Sequence, residues 1–366
     1  MTDTGGKRAA EAVEQAMTGA ARVLRTGAER DWDAVTAGRL EWSCRATAEH
    51  LTRALFGYAG QLAGRGRHMD AYAPCTLVVD DGTDPAGLIG VLETVGALFT
   101  AAVRTTPPRV RAFHPFPHRS ANREGFAAMG VAEVLLHTHD IAEGLGLSYE
   151  PPAELAEFAL MRIFPEVRPG PAPWPTLLWA TGRAGLPGRE PVTDWLWSNN
   201  LVLPAGRLTL EGVTPAAAAD LAAGGDGGFD WVEGGPYEGT REAAAMTLKA
   251  YETGVHRPEF GLFVLVRKED ERAVGGMGFH GPPEEDGRTE IGYDLAPSAR
   301  GNGYATEALR ALAAWALARP DVRSLFATVE RANVPSQRVV ARAGFRPVEV
   351  ADVAPGGELL AYELRA

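Results

Sequence analysis

Cysteine is almost missing from this 366-residue chain: Cys44 and Cys75 are the only two, too few for a disulfide framework. Long apolar runs are missing too. No stretch approaches the ~20 apolar residues that span a bilayer, and residues 311–318 make only a short run on an amphipathic helix. Positive charge is in deficit, with 36 Lys and Arg against 47 Asp and Glu and a net charge of -11. That balance excludes a general binder of nucleic acid or anionic membrane, both of which require basic surface. Residues 1–7 lack the basic-then-apolar pattern of a signal peptide, so a cytoplasmic protein is expected.

What remains is the composition of a globular protein, 45% hydrophobic and 23% charged. The length exceeds one ordinary domain, and the boundary is expected near 201–204, giving domains 1–200 and 201–366.

The first domain reads as all-α. Helical apolar spacing covers residues 9–25, and Ser43 can cap a helix that carries His50, Leu51, Leu55, Tyr58 and Leu62. Two more helices are predicted over 85–104 and 121–146, the second ending at Gly144 and Gly146. Four such helices suggest a bundle. Residues 164–200 look like a linker by proline content, yet hold Trp174, Trp179, Trp195 and Trp197, half of the eight tryptophans. Exposing them would be costly, so an irregular appendix packed on the bundle is expected.

The second domain alternates strand and helix, as α+β with a mixed central sheet. Strands are predicted over 207–212, 260–268, 273–280, 288–295, 324–329 and 358–364, and a helix over 240–253. Glu285-Asp286-Gly287 reads as a hairpin turn, and 224–228 as a flexible loop within the domain. Arg300-Gly301-Asn302-Gly303-Tyr304-Ala305 lies between the strand ending at Leu295 and a helix starting near Thr306. Glycines there let backbone N–H groups converge, and the helix adds its positive end, which suits an anion such as a pyrophosphate.

This loop, after Glu290-Ile291-Gly292-Tyr293, resembles the acetyl-CoA loop of GNAT-family N-acetyltransferases, especially the RimJ/RimL-type branch. Asn333-Val334-Pro335-Ser336, followed by Gly344-Phe345, is similar to the next helix of that family. The resemblance covers residues 203–366 and implies acetyl-CoA as cofactor and a primary amine as acceptor. It places pantetheine contacts at Tyr293, Asp294 and Leu295, pyrophosphate contacts at Arg300 to Ala305, and a further cofactor contact at Asn333. Glu290 is implied as the base, acting through a water, and Ser336 as the acid for the leaving thiolate. Their bland alternatives are a solvated strand-end carboxylate and a helix cap. The acceptor is expected near 229–237 and the hairpin, where Glu233, Glu238, Glu284 and Glu285 would suit a cation.

In the first domain Glu133 and His137 share a helix face one turn apart, and His50 lies on another helix. Facing each other, the three would suit a divalent ion such as zinc. From spacing alone a solvated Glu–His pair beside an ordinary His50 is the commoner reading. Asp140 and His139 could orient the ligands. His114 and His118 read as an entrance loop, and Cys44 as either a reactive thiol or a small helix-face residue. Trp42-Ser43, His50-Leu51 and residues 133–140 resemble the N-terminal domain of mycothiol-dependent maleylpyruvate isomerases, a DinB-like four-helix bundle. That resemblance covers 7–200, includes 177–183 and 186–188, and implies His50, Glu133 and His137 as metal ligands with a low-molecular-weight thiol as co-substrate. The isomerase's own C-terminal domain is not recognisable here.

Three functions follow as expectations. The first is a bifunctional biosynthetic or self-resistance enzyme acting on a small-molecule amine. The second is an acetyltransferase for a drug or a protein N-terminal amine, with a silent bundle that recruits a second copy of the chain. The third is a metal or thiol sensor with a non-catalytic acetyl-CoA-binding domain.

Overall fold

A computed structural model describes residues 4–66, 76–114, 121–170, 172–349 and 358–365. The chain divides into two compact units, Met1–Asn199 and Asn200–Ala366.

Four long helices build the first unit: α1 (Thr4–Arg25), α2 (Cys44–Gly64), α3 (Pro85–Thr105) and α4 (Arg123–Gly144). Both α1 and α2 pack on α3 and α4, around a core that includes Leu24, Leu51, Leu92, Phe99 and Phe126. The starts are chemically marked. Ser43, Asp84 and Asn122 each accept a hydrogen bond from a first-turn backbone N–H, at Ala46, Gly87 and Gly125. Helix α3 is long and apolar enough to cross a membrane, contrary to the expectation that no segment would be. Its Leu88, Leu92, Val95, Phe99 and Val103 are buried in the core, which accounts for its composition.

The segment 164–200 is more regular than its prolines suggest. Helix α5 (Ala153–Ile163) precedes it, and α6 (Pro173–Ala180) lies within it, with proline in the first turn, where its missing N–H costs nothing. Trp174 is buried, and Trp179, Trp195 and Trp197 pack against the core.

The second unit is one sheet of eight strands in the order β1-β2-β3-β4-β5-β6-β8-β7. The strands are β1 (Val202–Ala205), β2 (Leu208–Gly212), β3 (Leu262–Arg267), β4 (Ala273–Phe279), β5 (Arg288–Leu295), β6 (Ser324–Glu330), β7 (Arg346–Val348) and β8 (Leu359–Arg365). Every pairing is antiparallel except β5 with β6. Helices α7 (Pro215–Ala222) and α8 (Glu238–Thr253) pack together over one face of the sheet. Helices α9 (Tyr304–Leu317) and α10 (Val334–Arg342) cover the other, above a core of Phe263, Met277, Ile291, Leu309, Leu312 and Leu325. The loop 224–228, expected to be flexible, is tied down. Gly227 N donates to Asp220 Oδ2 at 2.9 Å, and Arg241 Nη1 donates to Leu221 O and Gly225 O.

Strands β5 and β6 hold together over only three pairs, Arg288 with Ser324, Thr289 with Leu325 and Glu290 with Phe326. Beyond Glu290 the two part. Residues 291–295 remain paired with β4 on one side, and among the described residues no strand lies against their other edge. The result is a wedge in the sheet, closed at Glu290 and open toward Leu295.

Candidate functional sites

The open end of the wedge meets the 300–305 loop. Gly301 and Gly303 both have φ of +80°, a left-handed conformation that costs a side-chain-bearing residue ~1–2 kcal/mol. These two reversals turn the chain into α9, whose N-cap Gly303 offers no side chain to its first turn. Among the described residues, the N–H groups of Gly301, Gly303, Tyr304 and Ala305 donate to no protein acceptor. Such converging donors at a positive helix end form an anion cradle. Asn302 Nδ2 bonds Ala299 O and Arg300 O, and Arg207 Nη2 bonds Asn302 O at 2.9 Å, so the loop shape is held from both sides. Arg300 donates to Leu295 O and lies over the Tyr237 ring, 4.8 Å from its centroid.

The side chains of β5 diverge to the two faces. Tyr293 reaches the α10 side, where its hydroxyl and Ser336 Oγ are 2.7 Å apart. Burial raises the Tyr293 pKa against the effect of this hydrogen bond. The cap of α10 is Asn333, whose Oδ1 accepts from Ser336 N at 3.1 Å; the serine hydroxyl is therefore not the cap. Asp294 faces α8, taking hydrogen bonds from Thr240 N (2.8 Å), Thr240 Oγ1 and Gly276 N (3.2 Å).

Glu290 sits at the closed end of the wedge. Its Oε1 accepts from Thr328 Oγ1 at 2.7 Å, and its Oε2 lies 3.1 Å from His280 Nδ1. His280, with Thr328, holds the carboxyl below its usual range, against partial burial. His280 also lines a cavity of about 290 Å³ between α8 and the sheet, together with Glu242, Met246, Phe279 and Asp294. Sequence reasoning passed over this histidine. The hairpin register could have exposed it, because pairing Phe279 with Ile291 sets residue 280 beside residue 290. Glu233 and Glu238 flank the 234–237 segment, whose Gly234 approaches Pro297. Glu284 and Asp286 stay in the hairpin turn, near Arg288.

In the first unit His50, Glu133 and His137 converge, one ligand atom from each lying within 4.8 Å of the others. His137 Nε2 is 3.0 Å and His50 Nε2 3.6 Å from Glu133 Oε2. Tyr58 donates to the other Glu133 oxygen at 3.1 Å. Asp140 Oδ2 lies 3.2 Å from His137 Nδ1 and is itself gripped by Arg183 through two hydrogen bonds. With Nδ1–H turned to Asp140, the Nε2 lone pair of His137 faces a carboxylate oxygen, which calls for a proton or a cation between them. Burial opposes charge on His137, but Asp140 and Glu133 overcome it and push its pKa up to about 9. Burial likewise opposes the Glu133 charge, and His137 with His50 still hold its pKa far down. Two imidazoles and a carboxylate, with His50 partly exposed, fit a divalent ion that keeps open positions.

One expectation in this unit is corrected, and one choice between two readings is decided. His139 does not orient a ligand; it stacks edge-on against Trp174 at 5.6 Å. Cys44 is fully buried and its pKa is pushed up to about 11 by that burial, so it is not a reactive thiol. His114 is buried among Tyr58, Phe126 and Trp197, apart from the cluster, while His118 and Cys75 lie outside the described residues.

Residues 207–346 match a family model described as an acetyltransferase (GNAT) domain. The N-acetyltransferase YjdG of Bacillus subtilis is 40% identical over 86 residues, which are 24% of this chain and 51% of that protein. The chain thus spans about half the length of the curated relatives it matches. Among solved structures, an acetyltransferase from Agrobacterium tumefaciens is 26% identical over 49% of this chain and 100% of that one, with a TM-score of 0.34. RimL, a ribosomal L7/L12 α-N-protein acetyltransferase solved with coenzyme A, is 18% identical over 45% of this chain and 97% of that one, with a TM-score of 0.33.

Proposed function

With a GNAT acetyltransferase domain in residues 207–346 as the premise, we propose that the chain moves an acetyl group from acetyl-CoA to a primary amine of a small molecule. The N–H groups of Gly301, Gly303, Tyr304 and Ala305, without a protein acceptor among the described residues and set at the mouth of the wedge, carry this reading. They suit the pyrophosphate. Arg310 and Arg342 line a cavity of about 580 Å³ beside Gly303, a cationic setting for the nucleotide end. The thioester arm then runs along residues 291–295, whose free edge offers main-chain partners, and brings the acetyl group to Glu290. Five residues span roughly 16 Å at strand rise, room for an extended arm. Ser336, bridged to Tyr293, stands on the leaving-group side and can pass a proton to the thiolate. The cavity beside Glu290 carries Glu242 and Asp294, which favour a cationic amine.

The first unit, in the same proposal, is a DinB-like metal-binding bundle, with His50, Glu133 and His137 holding a divalent ion, zinc being the best match to the donor set. Such an ion supplies Lewis acidity that lowers the pKa of a coordinated low-molecular-weight thiol. This chain's residues fix the imidazoles: Asp140 sets the His137 tautomer, and Arg183 sets Asp140.

Calorimetry of the full chain with acetyl-CoA tests the first half. Saturable binding that weakens in Gly303→Val supports it, and no heat of binding overturns it. Elemental analysis tests the second half. One bound ion per chain, lost in His50→Ala/His137→Ala, is expected; metal-free protein would make the bundle a scaffold.

A further inference from the structure

We infer that His280, rather than Glu290, takes the proton from the acceptor amine, with Glu290 as its positioning residue. This inference rests on the acetyl-transfer reading. Both Glu290 oxygens are already engaged, one by Thr328 and one by His280 Nδ1, so a proton taken by the carboxylate would compete with both partners. That bond turns Nδ1–H toward Glu290 and leaves the Nε2 lone pair as the free base of the ring. Nε2 lies against the backbone of Gly292, where an added Cβ would stand 2.8 Å away. The glycine therefore clears the ring's position on the cavity wall. The His280 side chain is 44% exposed, so a proton received there passes readily to solvent. His280 also sits beside the closed end of the wedge, since its own backbone N donates to Glu290 O at 3.0 Å.

The step balances as follows. An acceptor ammonium gives one proton to Nε2, and its freed lone pair forms the C–N bond to the thioester carbonyl carbon. The C–S bond breaks with its electron pair on sulfur, and the second nitrogen proton leaves to convert thiolate to thiol. Arg288, two residues before Glu290 on the same face of β5, pairs with Glu284. Asp294 from β5 and Glu242 from α8 line the ring's cavity, with Glu290 and uncharged Thr328 beside it. These carboxylates hold the acceptor's charge near the base.

The test uses the full chain labelled with 15N-histidine, its His280 signal assigned by loss in His280→Gln. At about pH 8 the ring nitrogens should report Nδ1–H and a bare Nε2. In Glu290→Gln that tautomer preference should relax. With phenethylamine as probe, coenzyme thiol release should fall ~100-fold in His280→Gln and lose the acidic limb of its pH profile. Acetyl-CoA affinity, measured by calorimetry, should stay unchanged in both variants. A proton on Nε2 in the wild type, or full activity with the limb intact in His280→Gln, overturns the inference. Should the probe not turn over, the tautomer decides alone. Absence of acetyl-CoA binding in the wild type would sink the acetyltransferase reading itself, a distinct failure.

Discussion

His256 shows how a single buried side chain writes a pH dependence into the second unit. It is 8% exposed, its Nε2 has no partner among the described residues, and burial holds its pKa down at about 4. Between that value and the ordinary 6.5, the unfolded chain binds a proton that the folded chain does not. Stability therefore rises with pH across this window, is fully present above it, and is lost as pH falls through it. The loss amounts to roughly 3 kcal/mol at most. Urea titrations of wild type and His256→Gln at both ends of the window should show a smaller pH difference in the variant. Gly301 offers a second test at this scale. An added Cβ there meets nothing within 4 Å, so Gly301→Ala isolates backbone strain. The variant should lose ~1 kcal/mol in thermal denaturation and bind acetyl-CoA more weakly. Gly82→Ala, at φ of +81° with equal space, should carry similar strain and leave coenzyme binding intact.

At the scale of elements, helix α8 starts without a side-chain cap of its own, since Tyr237 supplies none. Asp294 of β5 fills that role from across the sheet, accepting from the N–H of Thr240 and placing negative charge at the positive helix end. Asp294→Ala should cost about 1–2 kcal/mol in denaturant titration and raise the KM for the acceptor more than that for acetyl-CoA. No reading of sequence periodicity finds this contact, which joins residues 54 apart. The 300–305 turn into a helix was legible because glycine at a strand-to-helix turn has a local physical meaning. Helix starts were legible for the same reason, as at Ser43. Helix α6 was not, because prolines that suit a first turn also suit a linker. Strands β1 and β7, at four and three residues, are too short to show alternation. The convergence of His50 with Glu133 and His137 depends on how α2 packs against α4, which spacing within one helix cannot state.

On the scale of the whole molecule, the proposal gives each unit its own ligand, and each ligand should stabilise the unit that holds its residues. Added zinc should slow hydrogen exchange in α2 and α4, by an amount that grows with concentration. Glu133→Gln should abolish that protection and leave exchange in residues 291–305 unaltered. Equal protection in the variant would remove the cluster from consideration.

On the proposed acetyl-transfer reading, the wedge between β5 and β6 works as a ruler. An arm that enters between Leu295 and β6 can advance only until Glu290 and Phe326 pair. The distance from cradle to closed end thus sets how many carbons the transferred group can carry. One surplus methylene against a packed wall is worth ~1–3 kcal/mol, so propionyl- and butyryl-CoA should fall progressively behind acetyl-CoA in kcat/KM. Chain-length selectivity then belongs to the register of two strands, not to any single side chain.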